Sequence, residues 1–355
     1  MENIYKADFY NAVETMENFW ERGAAKKPAL ALRAFSEGFV PKLAETPEQR
    51  WFDAGYRYDS YKALCENTYF GGAYVPAYPT DMGACSLAAA IGGNFKPDMD
   101  TIWFDHDPII KDWENLPQIA FNPNSELWKN IISMQKKFLS DKNMITAITD
   151  LGGVMDIIAA LRGTNDLLLD LYDYPEEIKA LCSEIEDIFI EACKQQFELL
   201  SDKQQLFTTW MPITSKKPWS ALQCDFSALI SPKQFEEFVL SSIVKHANWL
   251  ERSIYHLDGP GEIHHLDMLL DIESLNGIQW VAGAGQKSDL DPCWLPMYKK
   301  IQDKGKNLVI VYSDPKEGDY EQIIKSLDPV GLYIMMKCTS RREAEEILEN
   351  VEKWS

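Results

Sequence analysis

Within this 355-residue chain, the stretch best equipped for chemistry is Tyr255-His256-Leu257-Asp258-Gly259-Pro260-Gly261. If it ends a β-strand, residues i and i+2 share a face, so His256 and Asp258 project together. Such a pair serves either as two metal ligands or as a general base with its orienting carboxylate. Gly259 and Gly261 let the backbone approach a bound molecule closely. The plainer alternative is a hydrogen-bonded core histidine followed by an aspartate that caps the helix beginning near Glu262. Cys338 ends the last apolar run, directly before a helix N-terminus, a position that favours thiolate, the form that binds metal or attacks. A cysteine taken alone is more often a small buried hydrophobe. With one position left open, His256, Asp258 and Cys338 would make a catalytic zinc set. His264 and His265 are adjacent, point in different directions on a helix, and cannot chelate as a unit. Gly283-Ala284-Gly285-Gln286-Lys287 completes no phosphate-binding pattern.

Positioning these groups requires strand ends gathered in one place. Short apolar runs occur at 29–35, around 73–78, and at 144–150, 205–211, 253–258, 277–283, 307–313 and 331–337, and amphipathic helices separate most of them. Near-continuous apolar strands alternating with helices predict a parallel sheet covered on both faces. Eight β/α units predict an α/β protein with a (β/α)8 TIM barrel, taken as a single domain over 1–355 with an N-terminal helical extension over 1–27. An open doubly wound sheet is the alternative. Helix starts are expected at Thr46-Pro47, Pro175, Ser231-Pro232 and Ser340, from caps, Pro at the first turn and capping boxes. Residues 95–143 read as a loop-and-helix excursion. In a barrel, active sites sit at the C-terminal strand ends. That selects Arg33, Asp81, Asp150, Trp210, His256, Asp258, Trp280, Tyr312, Lys337 and Cys338, with Trp210, Trp280 and Tyr312 as substrate-binding candidates; Trp210, Trp219 and Trp280 could wall a flat ligand or equally well pack in the core.

Composition narrows the partners. The chain is 46% hydrophobic and 25% charged, with a formal net charge of −20, which argues against nucleic acid or an anionic membrane surface as partner. No apolar run approaches the roughly 20 residues that span a bilayer, and the N-terminus has no signal-peptide pattern. An odd set of 7 cysteines without a C-x-x-C pair predicts reduced thiols and a cytoplasmic protein.

Over most of residues 28–282 the chain resembles the uroporphyrinogen decarboxylase superfamily. The resemblance runs through Pro28 to Arg33, Pro79-Thr80-Asp81-Met82-Gly83 ahead of Gly92-Gly93, and Ile148-Thr149-Asp150-Leu151-Gly152-Gly153 to Arg162-Gly163. It continues through Ala221-Leu222 to Ile230-Ser231-Pro232-Lys233-Gln234-Phe235-Glu236-Glu237-Phe238-Val239, its most specific stretch. His256-Leu257-Asp258-Gly259 stands where the family has a His-x-Cys-Gly-like turn. One branch decarboxylates uroporphyrinogen without a cofactor, using an arginine-rich first strand; here that segment, Leu32-Arg33-Ala34-Phe35-Ser36, keeps one arginine. The other branch comprises zinc methyltransferases that pass methyl groups between corrinoid proteins and small thiols or methylated substrates. Their zinc is bound by His-x-Cys and a distant Cys near the final strand. The resemblance therefore implies zinc-assisted methyl transfer between a small methyl donor or acceptor and a corrinoid, such as methylcobalamin, on a partner protein. It implies zinc on His256, Asp258 and Cys338, proton transfer by Asp81 and Asp150, and a substrate anion held by Arg33. A decarboxylase of a tetrapyrrole or related acid, and a non-catalytic corrinoid- or tetrapyrrole-binding barrel, are the alternatives.

Overall fold

The structure is a computed structural model that describes residues 3–104 and 107–354, apart from the side chain of Tyr312. The expected helices form where the sequence caps them. Thr46 accepts a hydrogen bond from the Gln49 N–H (3.2 Å), and Pro47 opens helix Pro47–Phe52. Ser231 and Gln234 close a capping box at helix Pro232–Phe238. The 27-residue helix Pro175–Ser201 buries Ile178, Leu181, Ile185, Phe189 and Ala192 on one face, the stripe expected of a helix packed on a sheet. Among the described residues, no helix is long and apolar enough to cross a membrane.

The strands are β1 (Ala29–Phe35), β2 (Thr68–Gly72), β3 (Ala77–Tyr78), β4 (Lys96–Pro97), β5 (Ile102–Trp103), β6 (Ile145–Thr146), β7 (Trp219–Gln223), β8 (Arg252–Asp258), β9 (Gly277–Val281), β10 (Asn307–Ser313) and β11 (Leu332–Cys338). The main sheet has the order β2-β1-β11-β10-β9-β8-β7, and every pair in it is parallel except the antiparallel β1–β2. β3 and β6 form a separate parallel pair. The four expected runs from 253 to 337 are thus parallel neighbours in one sheet. β4 and β5 make a small hairpin inside the 95–143 excursion, which also carries helix Glu126–Phe138.

Three expectations change. The described strands form an α/β protein with a parallel sheet, but not one closed ladder of eight. The run 205–211 is not a strand: Phe207 makes one bridge to Ser215, and Thr208 accepts from the Ile148 N–H, because Pro212 and the buried turn around it divert the chain. The strand in that part of the chain is β7, whose short Trp-Ser-Ala-Leu-Gln run has too few apolar residues to announce itself. Of the run around 73–78 only Ala77–Tyr78 (β3) is strand, and it follows β2, which ends at Gly72 at φ +60°.

The N-terminal helix Phe9–Trp20 seals the end of the sheet where the strands begin. Trp20 packs against Trp219 with ring centroids 5.3 Å apart and donates its indole N–H to the Thr214 carbonyl (2.9 Å). Phe19 meets Tyr333 at 5.9 Å. Arg252, at the start of β8, is buried and reaches Glu17 (2.9 and 3.0 Å) and Glu21 (2.5 Å). With this end plugged, the opposite strand ends remain for chemistry.

Parallel register fixes which side chains share a face. His256 is level with Gln223 and Gln279, Gln279 with Val309, Val309 with Tyr333, and Tyr333 with Ala29. Alternation from Ala29 and Tyr333 then puts Arg33 and Lys337, themselves partners, on the same face as His256. The opposite face carries Leu32, Trp280 and Cys338, and Leu32 there packs beside Leu348 of helix Arg341–Trp354.

Candidate metal centre

His256 and Asp258 share a face as expected, and the third group beside them is Asp225. One donor atom from each of the three lies within 4.8 Å of the others. Asp225 opens the 3₁₀ turn Asp225–Leu229 just beyond β7. Gln223, the last residue of β7, is level with His256, and the chain beyond it brings Asp225 close enough to Asp258 for the Asp258 charge to act on it. The turn is tied to its neighbour by Asp156, whose carboxylate accepts the N–H groups of Gly153 (3.2 Å), Asp225 (3.2 Å) and Phe226 (2.8 Å). Helix Val154–Arg162 can approach this closely because residue 153 is glycine. A Cβ there would stand 2.1 Å from the Gln223 carbonyl oxygen.

The imidazole is oriented as a ligand. Gln279 is fully buried and donates its Nε2 to the Trp280 carbonyl (3.0 Å), so its Oε1 is left as an acceptor. That oxygen meets His256 Nδ1, which must therefore carry the proton. Nε2 keeps its lone pair, and the Gln279 amide fixes the ring as outer-shell partners of metal ligands do. Burial holds the His256 pKa below its ordinary value, which favours the neutral, ligating form. Trp210 stands edge-on to the ring, with centroids 5.0 Å apart. One nitrogen and two carboxylates within this span suit a divalent cation.

More acids lie behind and beside these groups. Glu262 is fully buried; burial and then the Asp225 charge push its pKa up to about 9. Its Oε1 has no hydrogen-bond partner among the described residues, while its carboxyl is held by the Asp258 backbone N–H. Burial raises Asp225, and the neighbouring Asp258 charge adds to the rise. Asp81 and Asp150 are close enough for the Asp81 charge to raise Asp150, after burial as the larger cause. Asp81 is pushed up to about 6 by burial against the pull of Arg57, and its Oδ1 is buried without a partner among the described residues. Asp150 accepts the Gly152 N–H at 2.9 Å.

The folded chain thus holds protons that an unfolded chain releases, and stability falls as pH rises through the raised values. From about pH 7.5 to 8.5 the buried histidines His246 and His265, both lowered to about 4, are almost entirely neutral in the unfolded chain as well, whose histidines titrate at about 6.5, and contribute little. Glu262 contributes a falling slope of no more than about 1.4 kcal/mol per pH unit for its one proton, and the thiols raised by burial, Cys65, Cys182, Cys224 and Cys338 among them, add to it with the same sign as the unfolded thiols ionise. Metal-free protein is expected to melt at progressively lower temperature across this range, and Glu262→Gln should flatten the slope. A calorimetric series at constant ionic strength checks both.

The other expected site residues fall into two groups. Arg33 shares the His256 face with Lys337, and burial with the Arg33 charge lowers the Lys337 pKa. They form a cationic pair on the β1–β11 side of a sheet end that is acidic around β7 and β8. Cys338 and Trp280 are corrections. Cys338 lies five residues beyond Tyr333 in a regular strand, an odd number, so it faces the helix layer and cannot join His256. Burial and then Glu343 push its thiol up to about 12, against the expected thiolate. Trp280 is fully buried on that same outer face, with Trp294 at 4.9 Å, and walls no ligand. The Tyr312 side chain lies outside the described residues. His264 and His265 are bonded to the Ile230 and Ser227 carbonyls and are structural. A groove of about 760 Å³ among Lys6, Asn11, Lys27, Tyr69 and Arg341 is lined by none of Asp225, His256 and Asp258. Asp225 escaped notice because β7 did; an acid two residues past a short strand was its only signal.

A search of curated protein sequences finds no match. A solved structure, a methyltransferase from Methanosarcina mazei, superposes with a TM-score of 0.60 at 13% identity, covering 97% of this chain and 99% of that one; at that identity it shows the fold. Residues 81–283 match the family described as Uroporphyrinogen decarboxylase (URO-D), a span that contains Asp81, Asp150, Asp225, His256 and Asp258, and the chain belongs to that family.

Proposed function

We propose that this chain is a metal-assisted methyltransferase that moves a methyl group between a small methylated substrate or thiol and a corrinoid carried by a separate protein. The observation that carries the reading is the convergence of Asp225, His256 and Asp258 around an imidazole locked by Gln279. Family membership and a fold shared with a protein named as a methyltransferase support it, as does the family's (β/α)8 barrel, to whose mouth the same strand ends would belong. The three residues would hold zinc or another divalent cation, which when bound supplies Lewis-acid polarisation of the substrate heteroatom. Asp81 and Asp150, raised toward neutrality, take and return a proton at that atom. Arg33, with Lys337 beside it, holds a substrate anion, and Trp210 shields one edge of the imidazole from water. Metal content after purification, with a rate of methyl transfer to cob(I)alamin from simple methyl donors, tests the reading. Decarboxylation of a tetrapyrrole acid by metal-free protein would replace it with the decarboxylase alternative, and tight corrinoid binding without turnover would leave a binding barrel.

Gln279→Leu should keep the fold and weaken divalent-cation binding by about 10–100-fold, the usual cost of losing an outer-shell partner. Titration calorimetry with zinc measures it, and an unchanged affinity would remove His256 Nε2 from the ligand set.

A further inference from the structure

We infer that the centre formed by Asp225, His256 and Asp258 is free of thiolate, accepts hard divalent cations of the Mn²⁺ class as well as zinc, and presents its open positions to an oxygen atom of the substrate. The inference rests on the proposed methyl transfer only for the role given to that oxygen.

The donor set is the first ground. A zinc site of the His-Cys-Cys kind does not fit here, because two carboxylates stand where two thiolates would be needed. Cys338 is on the other face of the sheet, and Cys224, next to Asp225, is 1% exposed with its thiol raised well above the usual range by burial. Cys85 is likewise buried and raised, and Cys293, the exposed cysteine, lies in the 3₁₀ turn Pro292–Trp294 beside Asp291. The second ground is the fixed imidazole, which distinguishes this centre from a surface patch of acids: Gln279 is fully buried and its amide is committed at both ends. The third is Glu262, fully buried behind Asp258 with one carboxyl oxygen unpartnered. In front of it the Asp225 and Asp258 carboxylates stand close at the strand ends, where the Asp258 charge helps to raise Asp225, and a cation between them relieves that repulsion. Carboxylate and imidazole donors suit cations that bind oxygen, and geometry rather than raw affinity selects among them. A thiolate zinc site is tetrahedral, whereas three donors of this kind permit a larger shell with more than one open position. A Mn²⁺-class cation in that shell takes alcohol, ether or carboxylate oxygen over thiol sulfur.

The test uses full-length protein with Mn²⁺, followed by electron paramagnetic resonance, and Co²⁺, followed by absorption. Wild type and Cys338→Ser should bind Mn²⁺ alike, and zinc should displace it. Their Co²⁺ forms should lack a thiolate charge-transfer band, which Asp258→Cys should introduce, placing the ion at this centre. Asp225→Asn should weaken Mn²⁺ binding at least about tenfold. Glycolate should perturb the Mn²⁺ spectrum at concentrations where 2-mercaptoethanol does not. A thiolate band in wild type that Cys338→Ser removes, or a response to the thiol alone, would overturn the inference and leave metal-assisted methyl transfer standing. Failure to bind any divalent cation would overturn both. Mn²⁺ binding with the stated selectivity but no methyl transfer would overturn only the proposed activity.

Discussion

Replacing His256 by alanine should lower divalent-cation affinity by more than about 100-fold, beyond the range set by outer-shell losses. The imidazole supplies the only nitrogen in the centre, and Gln279 has already fixed it with Nε2 available. What remains is two like-charged carboxylates, of which Asp225 is already raised by burial and then by the Asp258 charge. The variant should still fold, at a cost of about 1–3 kcal/mol for leaving the Gln279 acceptor buried and unpaired. His246→Ala is the control. Its ring is buried, bonded to the Glu186 carbonyl and stacked on Phe189 at 4.1 Å, and is not one of the three converging groups. It should lose stability and keep metal affinity. Calorimetric titration of both variants, with melting curves alongside, separates the two effects. Equal metal affinity in His256→Ala and wild type would dismiss the centre.

Trp20→Ala should destabilise the protein by about 3–5 kcal/mol, the range for truncating a large buried aromatic. The side chain is 4% exposed. It fills the seal between the N-terminal helix and β7, and its loss also frees the Thr214 carbonyl. Arg252, whose guanidinium lies 5.3 Å from the Trp20 ring, loses a wall of its own burial. The damage is confined to the end of the sheet where strands begin. Zinc affinity of the folded variant should therefore match wild type, because distant sites act additively. Urea unfolding followed by fluorescence gives the first number and titration the second. A loss below about 1 kcal/mol would mean that the helix is not an integral seal.

Gln279 shows how the two ends of the molecule differ in what the sequence discloses. The seal is built from Phe9–Trp20, whose apolar stripe at helical spacing was plain in the sequence, as were the caps at Thr46 and Ser231 and the apolar runs that became β8 to β11. Period and punctuation are local, so one segment at a time reveals them. The pairing of His256 with Asp258 was equally local, following from alternation within one strand.

The rest of the centre depended on register between strands, which no single segment encodes. Gln279 reads as an unremarkable polar residue until β8 and β9 are aligned and its oxygen meets the imidazole. Cys338 looked like a ligand because it ends a strand at the correct end of the sheet. Counting across β9, β10 and β11 shows that it faces outward, and a one-residue difference in parity decides the matter. Asp225 joined the centre through the glycine at 153, which lets a helix N-terminus and its Asp156 carboxylate close on the backbone after β7. The sequence by itself determined the class of fold and two of the three groups of the candidate metal centre, His256 and Asp258. Tertiary structure decided the third ligand and the hardness of the donor set, because those follow from which backbones approach each other and in what register.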